Sequence, residues 1–587
     1  MRLEEPQDLE AGNLRTRAVD AARGAKPFDL LLHGGCVADV ITGQIRPADV
    51  GVVGPLIASV HPPGARRDSR ATLNAAGKVI APGLIDTHLH IESSMVTPRT
   101  YCEAVLARGV TTIVWDPHEF ANVCGIEGVR WAVKQASDAP NRILTLAPSC
   151  VPSAPGLETT GADFDADTLR DVLAWPGIKG LAEVMDMRGV ITCEPRMTGI
   201  VREGLASGKP VFGHARGLSG PDLNAYVAAG VTSDHEITSA EDLGSKLEAG
   251  LFIELRGSHD HLLPACVEAL ASYPRVPQTL TLCTDDVFPD DLWRAGGLDD
   301  VLRRITRYGM PAIEALRAAT LNAALRLGRH DLGAVAPGRR ADLAVFSDLR
   351  DFRAEAVIFN GVEIGARDGR PDQSCDQLAR GLGLRSFGSE DFLVRADSGR
   401  VRVATIDEPR FTRWGEAVAS TAGGYVRPPE GSITMAVVNR HGAGTAPRMA
   451  FLRGWGAWRG AFCTTVSHDS HNLTVFGSNA TDMAVAANAI RAAHGGLAAV
   501  ADGRVRALLP LPVAGLVSEQ PLPDVAGAFA AVKEAMDQIA TWKPPYRVFK
   551  ACFGASLACN PGPHLTDLGI TDAETGNVLT SPVLGAA

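Results

Sequence analysis

The run Ile85-Asp86-Thr87-His88-Leu89-His90 sets two histidines two positions apart at the end of an apolar segment. Alternate residues of a strand share a face, so both imidazoles would look the same way. Imidazole pairs of this kind ligate divalent cations. The pair alone is weak evidence, because 15 histidines in 587 residues produce an occasional His-x-His by chance. Other ligand types, however, stand where later apolar runs stop. Glu183 ends the run from Ile178, His214 follows Val211-Phe-Gly, His235 follows Val231-Thr-Ser-Asp, and Asp285 follows Leu280-Thr-Leu-Cys-Thr. Together, His88, His90, Glu183, His214, His235 and Asp285 form a mixed nitrogen and oxygen set that suits two divalent ions of borderline hardness. A carboxylate between two such ions bridges them and leaves a shared water, whose pKa falls toward neutrality.

Distant residues can meet in this way only if the runs that carry them lie side by side. The strand candidates are 79–87, 111–115, 142–147, 178–183, 210–213, 231–234, 251–255 and 280–283, with longer helical stretches between them. Eight apolar strands alternating with helices over about 250 residues predict an α/β chain whose centre is a (β/α)8 TIM barrel. Ligands at the C-terminal ends of its strands would then surround the barrel mouth. Short β-like runs punctuated by Gly and Pro precede the barrel, and GAVAPGRRADLAVF follows it. We therefore expect a β-sandwich domain from 28–78 and 332–380, the barrel at 79–331, an N-terminal arm at 1–27, and a C-terminal α+β domain at 381–587.

Competing motifs fall away. His90-Ile91-Glu92 matches half of the zinc deaminase signature, but no P-C-x-x-C follows it. His118-Glu119 and His235-Glu236 do not extend to H-E-x-x-H, since Asn122 and Ser239 occupy the fifth positions. The stretch 204–209 is one residue short of a phosphate loop, and no G-x-S-x-G elbow occurs. The chain carries 57 basic and 67 acidic residues, a net charge of −10, with no long block of one sign. That balance argues against a nucleic-acid or anionic-membrane binder. The polar N-terminus lacks the apolar core of a signal peptide, and the longest apolar stretch, 507–517, is too short to span a bilayer. Eleven scattered cysteines with no C-x-x-C pair fit a reduced, cytoplasmic chain.

With these residues in hand, the sequence resembles the amidohydrolase superfamily and, within it, the bacterial-type adenine deaminases. The general match is Pro82-Gly-Leu-Ile-Asp-Thr-His-Leu-His, the Glu, His, His, Asp series and APGRRADLAVF. More specific are His88-Leu-His-Ile-Glu-Ser-Ser-Met-Val-Thr-Pro98, Asp116-Pro-His-Glu119, Leu181-Ala-Glu-Val-Met185, Cys283-Thr-Asp-Asp286 and Ser467-His-Asp-Ser-His-Asn472. The likeness runs over roughly 28–587. It implies a binuclear hydrolase that uses Mn(2+) or Fe(2+), with Zn(2+) as a third candidate, and that converts adenine to hypoxanthine and ammonia. It also implies Glu183 at the bridging position and a homodimer or larger homo-oligomer.

On that reading a metal-activated hydroxide attacks C6, and Asp285 is the acid/base that moves its proton to the ring or leaving amine. His118 and Glu119 are expected on the substrate side. Glu92 and Ser93 are expected behind the metal ligands, with structural capping as an equal alternative. His468 or His471 would lie on a loop from the third region that closes over the barrel mouth, against an equally weighted structural role. Ser467-His468-Asp469 is not a triad, because neighbouring side chains diverge. Two rivals are a hydantoinase-type amidohydrolase, against which a Glu rather than a Lys at 183 speaks, and a non-catalytic scaffold, against which the full set of six ligands speaks.

Overall fold

Short apolar runs buried on both faces form parallel strands that helices must cover, and eight of them build a barrel. Its strands are Leu84–Leu89, Val110–Trp115, Arg142–Ala147, Ile178–Val184, Val211–Gly213, Ser233–Asp234, Phe252–Arg256 and Leu280–Cys283. The first five pair in sequence, as do the last three. The Thr232 N–H donates to Val211 O at 3.1 Å, and the Asp285 N–H donates to His88 O at 3.0 Å, which joins the two arcs at both seams. Gly213 makes one seam feasible. A Cβ there would sit 2.3 Å from Ser233 O, so the residue before His214 has to be glycine for strands five and six to approach. The structure, a computed structural model, describes residues 9–10, 12–365, 378, 382–409, 411–442, 446–541 and 548–587.

One expected strand divides. Residues 79–87 were expected to open the barrel as a unit, but Val79–Pro82 pairs with Leu343–Phe346 and Cys36–Asp39 in a six-stranded sheet. Only Leu84–Leu89 enters the barrel. The break falls at Gly83, whose N–H donates to Asp342 O at 2.8 Å and whose missing Cβ leaves room for Thr111. This sheet faces a four-stranded one made of Leu56–His61, Asp49–Val53, Phe28–His33 and Ser69–Asn74. Leu30, Leu32, Val50, Ile80, Leu343, Val345 and Ile358 are buried between them. The N-terminal arm, whose sequence reads as loose or helical with no clear core pattern, carries the helix Leu14–Ala22, and its Leu14 and Ala21 pack with Phe28, Val53 and Leu56. The expected boundary at 380/381 lies outside the described residues.

The C-terminal region is built on a ten-stranded sheet. The helix Ala480–Ala492 covers one face through Met483, Ala487 and Ile490. On the other face lies Leu522–Ile539, whose Val525, Phe529 and Met536 share one core with the barrel. Phe529 stacks on Phe288 of the barrel at 5.4 Å between ring centres. The region is thereby fastened over the barrel rather than tethered beside it. Among the described residues no helix is long and apolar enough to cross a membrane.

Candidate metal centre and active-site cavity

All six expected ligands meet at the C-terminal ends of the barrel strands, and all are buried. Glu183 stands between two histidine groups. Its Oε1 lies 3.3 Å from His90 Nε2 and 3.7 Å from His88 Nε2, while its Oε2 lies 2.7 Å from His214 Nδ1 and 3.3 Å from His235 Nε2. Asp285 closes the first group, with Oδ1 3.6 Å from His88 Nε2 and 3.5 Å from His90 Nε2. His88 and His235 stack at 4.0 Å between ring centres. Each carboxylate oxygen of Glu183 therefore faces a different set of imidazoles.

The hydrogen bonding of this cluster is incomplete in a way that suits cations. Among the described residues, both ring nitrogens of buried His88, Nε2 of His214 and Nδ1 of His235 lack a hydrogen-bond partner. Buried polar atoms are normally satisfied. The orphan that faces the carboxylates is His88 Nε2, 3.7 Å from Glu183 Oε1 and 3.6 Å from Asp285 Oδ1, a position a bound cation would fill. The His214 and His235 orphans are the ring nitrogens turned from Glu183. The donor set of imidazole and carboxylate is that of a first-row divalent ion. His90 is oriented for the task, because its Nδ1 meets the Asp116 carbonyl at 3.1 Å and this leaves Nε2 toward Glu183.

The charges follow from burial and neighbours. Burial, helped by His235, pushes the His88 imidazole down to about 4. Burial alone would raise the Glu183 carboxyl, but His235 and hydrogen bonds from His214, His235 and His90 hold it well below its ordinary value. Burial likewise opposes ionisation of Asp285, and the Arg256 guanidinium overrides it.

A cavity of about 200 Å³ opens on this cluster. That is below the range for drug-sized ligands and fits a small heterocycle. The barrel lines it with His90, His118, Glu183, His214, His235 and Asp285, and the C-terminal region adds His468, Asp469, Lys550 and Phe553. His118 lines this cavity, and its Nδ1 is held by Asp116 Oδ2 at 3.1 Å. Glu119 does not. Its fully buried carboxylate is absent from the cavity wall and instead meets His468 Nδ1 at 3.2 Å and His471 Nε2 at 3.8 Å. The helix His118–Asp138 starts at His118, so the two neighbours diverge and only the first faces the cavity.

Glu92 and Ser93 lie behind the ligands, in the short turn Ile91–Ser94. Glu92 accepts from Trp115 Nε1 at 2.8 Å, and Ser93 Oγ donates to Asp286 Oδ1 at 2.5 Å. Burial and the nearby Glu119 push the Glu92 carboxyl up to about 8. Of the two C-terminal histidines, His468 reaches the cavity, whereas His471 is fully enclosed behind it. Ser467 turns away, with its Oγ 2.6 Å from Ser556 Oγ, so the three consecutive residues form no triad.

Residues overlooked in the sequence also line the cavity: Arg216, Glu236, Arg256, Ser258 and Asp286. Arg256 was within reach of the reasoning that found Asp285, because it is the last residue of the seventh strand. Glu236 directly follows His235 in a pair that does not extend to H-E-x-x-H, so no motif marks it.

Comparison with known proteins places these features in a lineage. Residues 79–364 match the family model described as the amidohydrolase family, and 409–577 match the adenine deaminase C-terminal domain. The chain is 61% identical to adenine deaminase 2 of Rhizobium meliloti (strain 1021), over 99% of each chain. It is 49% identical to the adenine deaminase of Klebsiella pneumoniae (strain 342), over 96% of this chain and 95% of that one. With that of Moorella thermoacetica it shares 37% identity over 94% and 96% of the two chains. The chain belongs to the adenine deaminase family of amidohydrolases.

Proposed function

We infer that this chain hydrolyses adenine to hypoxanthine and ammonia. The observation that carries the reading is the position of Glu183, with one oxygen toward His88 and His90 and the other toward His214 and His235, at the floor of a cavity sized for a single base. The full-length relatives named adenine deaminase support the substrate. Two divalent ions, Mn(2+) or Fe(2+) with Zn(2+) as a third candidate, would be held by His88, His90, Glu183, His214, His235 and Asp285. When bound they make the hydrolytic water acidic enough to ionise near neutral pH.

The chain's own groups supply the rest. Asp285 presents Oδ1 to the ligand cluster, where it can take the proton of the attacking water and return it to the departing amine. His118 and His468 face the cavity and can donate to the ring nitrogens as charge builds on the purine. Glu119 acts through His468 rather than on the base. Phe288 and Phe553, 5.3 Å apart, form an apolar wall, and His468, Asp469 and Lys550 of the C-terminal region line the same cavity. A homodimer or larger homo-oligomer is the family expectation. Eleven scattered cysteines with no C-x-x-C pair support a reducing, cytoplasmic setting.

Ammonia release from adenine, adenosine, cytosine and guanine by Mn(2+)-loaded enzyme tests the assignment. Adenine should be the substrate, and D285N should keep its metal but lose turnover. Ring opening of a hydantoin without deamination of adenine would reject it.

A further inference from the structure

Asp285 leaves the eighth barrel strand in the left-handed region, with φ +59°. Its N–H donates to His88 O at 3.0 Å, and its carbonyl accepts from the His90 N–H at 3.4 Å. These bonds settle where the Cα sits but not how the carboxylate is turned, because the last torsion of an aspartate is broad. If it turned, the metal side would meet the other oxygen or none.

We propose that Arg256 is a positioning residue that locks this torsion, so that only Oδ1 of Asp285 is offered to the reaction, and that Glu236 anchors Arg256 for the purpose. The proposal rests on the acid/base reading of Asp285 above. Arg256 Nη1 donates to Asp285 Oδ2 at 2.6 Å, and Ser258 Oγ donates to the same oxygen at 3.1 Å. Oδ2 is thus occupied by two donors. Oδ1, 3.5–3.6 Å from the imidazoles of His88 and His90, is the oxygen left open.

Arg256 is itself held in place. Only 9% of it is exposed, and its Nη1 lies 2.7 Å from Glu236 Oε1. Its Nη2 meets His259 Nε2. Glu236 Oε2 in turn accepts from Arg216 Nη1 at 2.5 Å. Basic and acidic groups therefore alternate from Arg216 through Glu236 and Arg256 to Asp285, so that residues following strands five and six, and the end of strand seven, brace the residue that follows strand eight. Charged hydrogen bonds of this geometry are short and directional. A lysine at 256 could bring one ammonium to the two carboxylates that share Nη1, but it has no second nitrogen to hold His259 Nε2 and no planar group to fix the orientation.

The test uses Mn(2+)-loaded R256Q, R256K and E236Q, each measured for metal content, kcat and KM with adenine, and crystal structure. A misplaced catalytic group costs on the order of a hundredfold, so R256Q should lose kcat by about that factor. Its metal content should match wild type and its KM should stay within about threefold. E236Q should lose roughly tenfold in kcat, R256K should recover only part of the rate, and the Asp285 carboxylate should be rotated in the R256Q crystal. Wild-type kcat in R256Q, a change confined to KM, or an unmoved carboxylate would each overturn the proposal. Should R256Q not fold, E236Q decides alone, because it loosens Arg256 without touching Asp285. Should wild-type enzyme release no ammonia from adenine, the function fails instead, and the carboxylate orientation still judges Arg256.

Discussion

His468 Nδ1 lies 3.2 Å from Glu119 Oε1, across the junction between the C-terminal region and the barrel. The pair ties the C-terminal loop that lines the cavity to the helix that begins with His118. Burial would lower the His468 imidazole, but the Glu119 charge outweighs it and pushes the group up to about 9. His468 and His471 together overcome burial at Glu119 and hold its carboxyl well below the ordinary range.

This relationship sets a basic limb in the pH profile. A histidine raised on folding contributes fully below its free pKa near 6.5, and that contribution is lost as pH rises through about 9. The kcat/KM for adenine should therefore decline above about pH 9. In E119Q burial loses its main counterweight, so the limb should move down to about 6.5 or lower, with kcat/KM at pH 8 lowered by about thirtyfold or more. A pH-rate profile of the two proteins checks this, and an unshifted basic limb contradicts it.

Glu183 supplies an oxygen to each histidine group, so its replacement should disturb both. E183Q should fall from two ions per chain to one or none, because an amide is a far weaker ligand than a carboxylate. Elemental analysis after loading and desalting reads the outcome. Two retained ions would remove the bridging role.

Phe553 comes from the C-terminal region but packs at a tilt against Phe288 on the cavity wall. Truncating it removes an aromatic contact worth about 0.5–1.5 kcal/mol beyond its buried area. F553A should raise KM for adenine by about two- to tenfold while metal content stays unchanged. Steady-state kinetics measure it, and a KM equal to wild type would show that this wall does not touch the base.

Asp342 links the sandwich to the barrel. It accepts from Arg142 Nη1 at 2.5 Å and from the Asn360 N–H at 2.8 Å, and both Arg142 and Asp342 are buried. Removing one partner strands a buried charge, at a cost of about 3–5 kcal/mol. D342A should lower the denaturant midpoint accordingly, while the paired change R142M/D342L should cost less. Equal losses in the two would argue that packing rather than charge is at stake.

The barrel and the six buried residues gathered at its mouth were legible in the sequence for a local reason. Strand ends are marked by a change from apolar to polar residues, and in this architecture every such end points to one mouth. The rule found His88, His90, Glu183, His214, His235 and Asp285 across nearly two hundred positions. It also had what it needed to reach Arg256, the terminal residue of strand seven. The assignment of residues 79–82 failed because an apolar run carries no mark of which sheet it will join, and only the pairing with Leu343–Phe346 decides.

Other features were settled by tertiary structure alone. No spacing rule brings His468 to Glu119, because the two are separated by most of the barrel and the first strands of another sheet, and they meet only once Phe288, Phe529 and Phe553 have packed the two regions together. Nor could spacing tell that His118 looks into the cavity while Glu119 looks away, since that depends on where the helix begins relative to the mouth. Residue types and their periodicity determine which chemistry is available and at which end of the strands it gathers. Which oxygen, which ring nitrogen and which neighbouring carboxylate take part is decided by packing between segments far apart in the chain, which local patterns do not encode.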